Sequence, residues 1–157
     1  MSTTGEFDDR VTIYLAIESV ELTPSELTTR LGVHPDREWL IGGVRGKTGK
    51  RWDRNGWVVE TTIRSEDSAG RSASELIPIA MERFANKVEP FAKTASSLGS
   101  SAQRYAVLAI FAEDVAGIEF SHSFLQLLSD LGGTFQIDLS TQPIRPAGTD
   151  TQLATTR

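Results

Sequence analysis

Residues 10–32, RVTIYLAIESVELTPSELTTRLG, decide the fold. Arg10 to Val20 is rich in β-branched and aromatic residues, apolar in alternating and consecutive steps, as in a strand buried within a sheet. Thr23 then offers a side-chain oxygen to the first free amides of a helix, Pro24 suits the first helical position, and Glu26 stands three residues after the cap. This is a capping box, with Leu22 and Leu27 spaced as a hydrophobic staple and Gly32 as the stop. A strand joined by a tight acidic turn to a short capped helix predicts an α+β domain.

The rest of the chain extends this pattern. Val33 to Asn55 reads as loop, Asn55-Gly56 as a turn, and Trp57 to Arg64 as a strand. Ser72 with Glu75 forms a second capping box and opens the longest helix, about Ala73 to Leu98, with an apolar stripe through Ile77, Ala80, Phe84, Val88, Phe91, Ala95 and Leu98. Pro90 predicts a kink or a break near Lys87. Gln103 to Glu113 is a second buried strand. Ser121 caps a third helix, stapled by Phe120 and Leu125 and stopped at Gly132-Gly133, and Thr134 to Leu139 is a half-exposed strand. These elements predict a mainly antiparallel sheet of four to six strands with helices on one face, arranged as two ferredoxin-like βα(β) halves if the weak internal repeat is real. The other face is then left for solvent or a partner. Residues 1–9 read as a flexible leader, 10–140 as the single domain and 141–157 as a flexible tail.

Composition narrows the function. The chain has 157 residues, net charge −5 and no cysteine, which excludes disulfide scaffolds, thiolate metal sites and thiol nucleophiles. The longest apolar run, Tyr105 to Ala112, is too short to span a membrane. The polar, acidic start gives no secretory signal, so the expected compartment is the cytoplasm. The net charge disfavours a nucleic-acid role and would steer basic partners.

Chemistry-bearing motifs are sparse. Gly46-Lys47-Thr48 ends like a phosphate loop, but the position for the first glycine is Ile41, and a strand follows where a helix is required. His34 and His122 lie in separate neighbourhoods, and His34-Pro35-Asp36 lacks a third donor. No G-x-S-x-G elbow occurs. Glu18 with Glu21, Glu113 with Asp114, and Asp138 are carboxylates at strand ends, with nothing in the sequence to make them converge. The segment from Gly43 to Arg54 sets five basic residues against Asp53 alone, flanked by Trp39, Trp52 and Trp57. Trp57, at the head of a strand, is expected in the core, whereas Trp39 and Trp52 are expected to be the exposed ones. The candidate contact residues are therefore Trp39, Arg45, Lys47, Lys50, Arg51 and Trp52, with a solvated, flexible loop as the plainer reading.

The short helix ending in Leu31-Gly32 with Pro35, then Trp39 with Gly42, the Gly56-Trp57 pair opening a strand, and the closing strand with Gly133 and Asp138 resemble the bacterial domain of unknown function 4279 over about residues 10–140. The resemblance implies a small α+β domain and supplies no activity. By analogy with small domains of toxin–immunity neighbourhoods, it suggests an inhibitor-type role. The sequence reading is thus a non-enzymatic recognition module without cofactor or metal, binding a protein partner or itself and no membrane. The alternative is a binder of an anionic small molecule or single-stranded nucleic acid through residues 39–57.

Overall fold

The computed structural model describes residues 9–141. Its elements are β1 (Arg10–Ser19), α1 (Pro24–Leu31), β2 (Arg37–Trp39), β3 (Asn55–Arg64), α2 (Ala73–Val88), α3 (Ala92–Ser97), β4 (Gln103–Ala112), α4 (His122–Leu131) and β5 (Thr134–Thr141). They form a five-stranded sheet in the order β2-β3-β1-β4-β5. β1 pairs antiparallel with both β3 and β4, β2 pairs antiparallel with β3, and among neighbouring strands only the β4–β5 pair is parallel. The domain is α+β and mainly antiparallel, as the sequence predicts.

The alternation of β1 sorts the molecule into layers. Val11, Ile13, Leu15 and Ile17 are buried in one core with Leu27, Trp57, Leu76, Phe84 and Phe124. Thr12, Tyr14 and Glu18 point to the opposite face and are only half buried. At Trp57 the indole is fully buried, meets Phe91 edge-on at 5.7 Å and donates to the Thr28 hydroxyl at 3.1 Å. The helical layer stops short of the β5 edge, where Ile137 and Leu139 are exposed on the helix side of the sheet.

Both capping boxes form. The Glu26 carboxylate accepts from the Thr23 amide at 2.8 Å and that of Glu75 from the Ser72 amide at 2.9 Å, satisfying amides that no helical carbonyl can reach. The long helix breaks where Pro90 requires it: α2 ends at Val88, a 3-10 turn spans Glu89–Phe91, and α3 follows. Pro78, also inside α2, is tolerated on its exposed side. Arg104 fastens the far end of α4, donating to the carbonyls of Leu131 and Gly132 at 2.9 Å each, where the helix dipole favours a cation.

Three readings are corrected. The stretch from Val33 to Asn55 contains a strand, β2, held to β3 by backbone pairing that propensity does not announce. Phe120 does not staple to Leu125, which is exposed; it stacks on Phe124 at 6.0 Å and meets Phe135 edge-on at 5.5 Å. The ferredoxin-like arrangement is present: β2, the strand after α1, runs parallel to β1 with β3 inserted between them, and β4, the strand after α2 and α3, runs parallel to β3 with β1 between, while α4 and β5 extend the sheet beside β4. Asp9, assigned to the leader, accepts from the amides of Ser65 at 2.8 Å and Ala73 at 2.9 Å, and Thr141 belongs to β5. The remainder of the leader and tail readings, 1–8 and 142–157, lies outside the described residues.

The core predicts its own failure point. Trp57→Ala removes a fully buried indole and should cost about 3–5 kcal/mol, a large share of the roughly 5–15 kcal/mol that holds such a domain. Urea unfolding followed by circular dichroism should show Trp57→Ala close to unfolded in water, and a native-like midpoint would show that the ring is not central to the core.

Carboxylates add a pH dependence. Burial pushes Asp36 up, but the hydrogen bond from Lys87, the Glu60 amide, and the charges of Lys87 and Arg37 outweigh it, so its pKa lies below the ordinary 3.8. Glu26 and Glu75 are held below 4.5 mainly by the backbone amides they cap. A folded pKa below the unfolded one gives stability that is complete above the unfolded pKa and lost as pH falls through the folded one. The melting temperature should therefore fall as pH drops below about 4.5, and Glu75→Gln should flatten that fall. An unchanged acid slope in the variant would show that the cap does not contribute.

Candidate functional site

The segment between β2 and β3 is an ordered hairpin. Gly42 N–H donates to the Trp52 carbonyl at 2.7 Å, Trp52 N–H to Gly43 at 2.9 Å, and Arg45 N–H to Lys50 at 2.7 Å, with Val44 bridging Arg51. A 3-10 turn over Gly46–Thr48 and Gly49 at φ +69° close the tip, where the left-handed backbone suits glycine. At its base, buried Asn55 accepts from the Ile41 amide at 2.9 Å and donates to the Leu22 carbonyl at 3.1 Å, locking the hairpin to the turn before α1. The plainer sequence reading, a flexible loop, is replaced by this paired structure.

The tryptophans build a stack on the sheet. Trp39 lies across Gly56, the residue opposite it in β3; a Cβ at Gly56 would stand 1.9 Å from the Trp39 ring. Trp52 stacks on Trp39 with centroids 4.3 Å apart and planes 20° from parallel, and the Arg45 guanidinium sits 4.7 Å from the Trp52 centroid. With Gly56 on one side of Trp39 and Trp52 on the other, Arg45 takes the outer face of Trp52. The order is Gly56, Trp39, Trp52, Arg45. Trp39 and Trp52 are therefore half-buried rather than exposed, and the Trp39 indole N–H is covered without an acceptor. The sheet face opposite the helices is consequently not bare: Ala16 and Val58 on it are only 1% exposed.

Next to the stack, the Tyr105 hydroxyl donates to Glu18 at 2.7 Å. Burial, then the hydrogen bond and charge of Glu18, push the Tyr105 phenol up, while the Arg45 charge opposes them. Burial also raises Tyr14, opposed by Arg37, which ion-pairs with Glu60 at 3.0 Å. A second polar tie joins the layers: Asp36 accepts from Lys87 at 2.6 Å and from the Glu60 amide at 2.7 Å. Asp36 thus fastens the entry to β2 onto α2 and β3.

Of the six candidates, the structure brings Trp39, Trp52 and Arg45 into one stack, whereas Lys47, Lys50 and Arg51 are exposed toward the hairpin tip, Arg51 donating to the Gly42 carbonyl at 2.7 Å. Sequence reasoning missed the aliphatic residues of the same hairpin. Leu40, Ile41 and Val44 are 59%, 50% and 59% exposed, and Val20, just after β1, is exposed as well. The signal was the apolar run within LIGGV. Among the described residues, no group of three or more His, Cys, Asp or Glu side chains could hold a metal ion, and no helix is long and apolar enough to cross a membrane.

The fold and this surface define a one-sided α+β sheet domain carrying an aromatic and basic hairpin on an edge. The chain belongs to the family Domain of unknown function (DUF4279), whose model matches residues 9–142. No curated protein and no solved structure matches it.

Gly56 is the test of the stack. Gly56→Ala should expel Trp39 from the sheet, abolish the far-ultraviolet exciton couplet of the paired indoles, and leave the Trp57 core intact. A retained couplet would show that the stack does not rest on Gly56.

Proposed function

We propose that this chain is a non-enzymatic protein-recognition module whose contact surface is the 40–54 hairpin. One observation carries the reading: a hairpin fixed by backbone pairing and an aromatic stack nonetheless exposes Leu40, Ile41 and Val44. Exposed apolar clusters rimmed by polar residues are where soluble proteins meet partners, and pre-ordering removes part of the entropy cost of binding. Lys47, Lys50 and Arg51 flank the cluster, so the fitting partner is a protein surface with an apolar centre and an acidic rim. The net charge of −5 favours basic partners in general, but the local charge of the contact surface decides which face is used.

The alternative, an anionic small molecule or single strand held by the tryptophans, needs an indole face on which to stack. Gly56, the partner indole and Arg45 occupy those faces, which favours the protein reading. An immunity- or inhibitor-type role in a bacterial cytoplasm is the narrower form of the proposal, supported by family analogy.

Affinity capture with the wild-type chain, Leu40→Asp/Ile41→Asp and Lys47→Glu/Lys50→Glu tests it. We expect one protein partner to bind the purified wild type directly and both variants at least about tenfold more weakly, at unchanged melting temperatures. Equal capture by all three, or tryptophan quenching by oligonucleotides without a protein partner, would overturn the reading.

A further inference from the structure

A second surface lies in the helical layer and does not depend on the hairpin. Between α2 and α4, together with the segment entering α4, runs a cleft of about 740 Å³. Its floor is apolar, with Met81, Phe124 and Leu127 buried and Phe120 half buried beneath it. Its rim is acidic: Glu82 stands on α2, Glu89 on the 3-10 turn that follows it, Glu119 on the entry segment and Asp130 on α4, and no lysine or arginine lines it. Within the described residues, Glu82, Glu89 and Glu119 make no ion pair, while Asp130 accepts only from Gln126, at 3.1 Å.

From this charge pattern we infer that the α2/α4 cleft docks a basic amphipathic helical segment of a partner protein, its apolar side on Met81, Phe120, Phe124 and Leu127 and its lysines or arginines on the acidic rim. Length favours a helix. Glu82 and Glu89 are seven residues apart, about 10 Å along α2 and the turn that continues it at 1.5 Å per residue, and the lining from Pro78 to Glu89 covers about three turns. Acids spread along both walls match charges repeated along a segment, whereas a small cation would use one end. Apolar anchors at helical spacing in a groove are a recurring recognition mode, and opposite charge at the rim sets orientation and encounter rate.

The probe is a fourteen-residue amphipathic peptide of leucine and lysine, compared with a scrambled peptide of the same composition and with spermidine. Isothermal calorimetry measures affinity, and methyl resonances of Met81 and Leu127 report the location. The proteins are the wild type, Glu82→Lys/Glu119→Lys, and Glu38→Lys/Asp67→Lys, which changes the net charge equally away from the cleft. We expect the amphipathic peptide to shift the Met81 and Leu127 methyls and to lose about tenfold or more in affinity only in Glu82→Lys/Glu119→Lys. Leu40→Asp/Ile41→Asp should bind the peptide like the wild type, which separates this inference from the hairpin reading. Equal loss in the two charge-reversed variants, equal binding of the scrambled peptide, spermidine reproducing the same methyl shifts, or peptide shifts elsewhere would each overturn it.

Discussion

The structure depends on the pairing of β1 along both of its edges. Antiparallel partners on either side satisfy the backbone of this central strand, and its side chains alternate between the helical core and the opposite face. A slip of one residue would carry Val11, Ile13, Leu15 and Ile17 out of the core and Thr12, Tyr14 and Glu18 into it, so the register is strongly specified. That register also sets Gly56 opposite Glu18 and Tyr105 opposite Ala16, which places the floor of the tryptophan stack beside the Tyr105–Glu18 hydrogen bond.

Gly56 turns that register into a surface. Without a side chain there, the sheet offers bare backbone on which Trp39 lies flat, and Trp52 and Arg45 add layers above it. The hairpin gains rigidity from its own backbone pairs and from Asn55, a buried amide whose donor and acceptor are both used. An unpaired buried donor such as the Trp39 N–H costs about 1–3 kcal/mol, a cost the surrounding ring contacts must offset. The result covers the part of the sheet face around Ala16 and Val58 that alternation alone would leave open.

Charge is divided between surfaces rather than spread evenly. Basic side chains concentrate on the hairpin, on an edge of the sheet, while the groove of the helical layer is rimmed by acids with no lysine or arginine in its lining. A net charge of −5 conceals this division, because it sums over faces that no single partner touches together. The two surfaces are joined mechanically by the Asp36–Lys87–Glu60 tie, which connects the hairpin's entry strand to the helix forming one wall of the cleft.

The sequence by itself determined what depends on neighbours a few residues apart: the strands around β1 and β4, both capping boxes, the break at Pro90, the burial of Trp57 and the family. These follow from periodicity and from hydrogen bonds between residues three or four positions apart. Of the candidate site, the composition was legible, and Trp39, Trp52 and Arg45 do come together, but their stacking on Gly56 was not. Tertiary structure alone decided contacts between distant segments: β2 as a strand, the parallel return of β5, Phe120 packing on Phe135 instead of Leu125, Tyr105 bonding Glu18 across 87 residues and Lys87 bonding Asp36 across 51. Local rules state what a segment prefers; which segments then meet is set by the one register that buries the core of all of them at once.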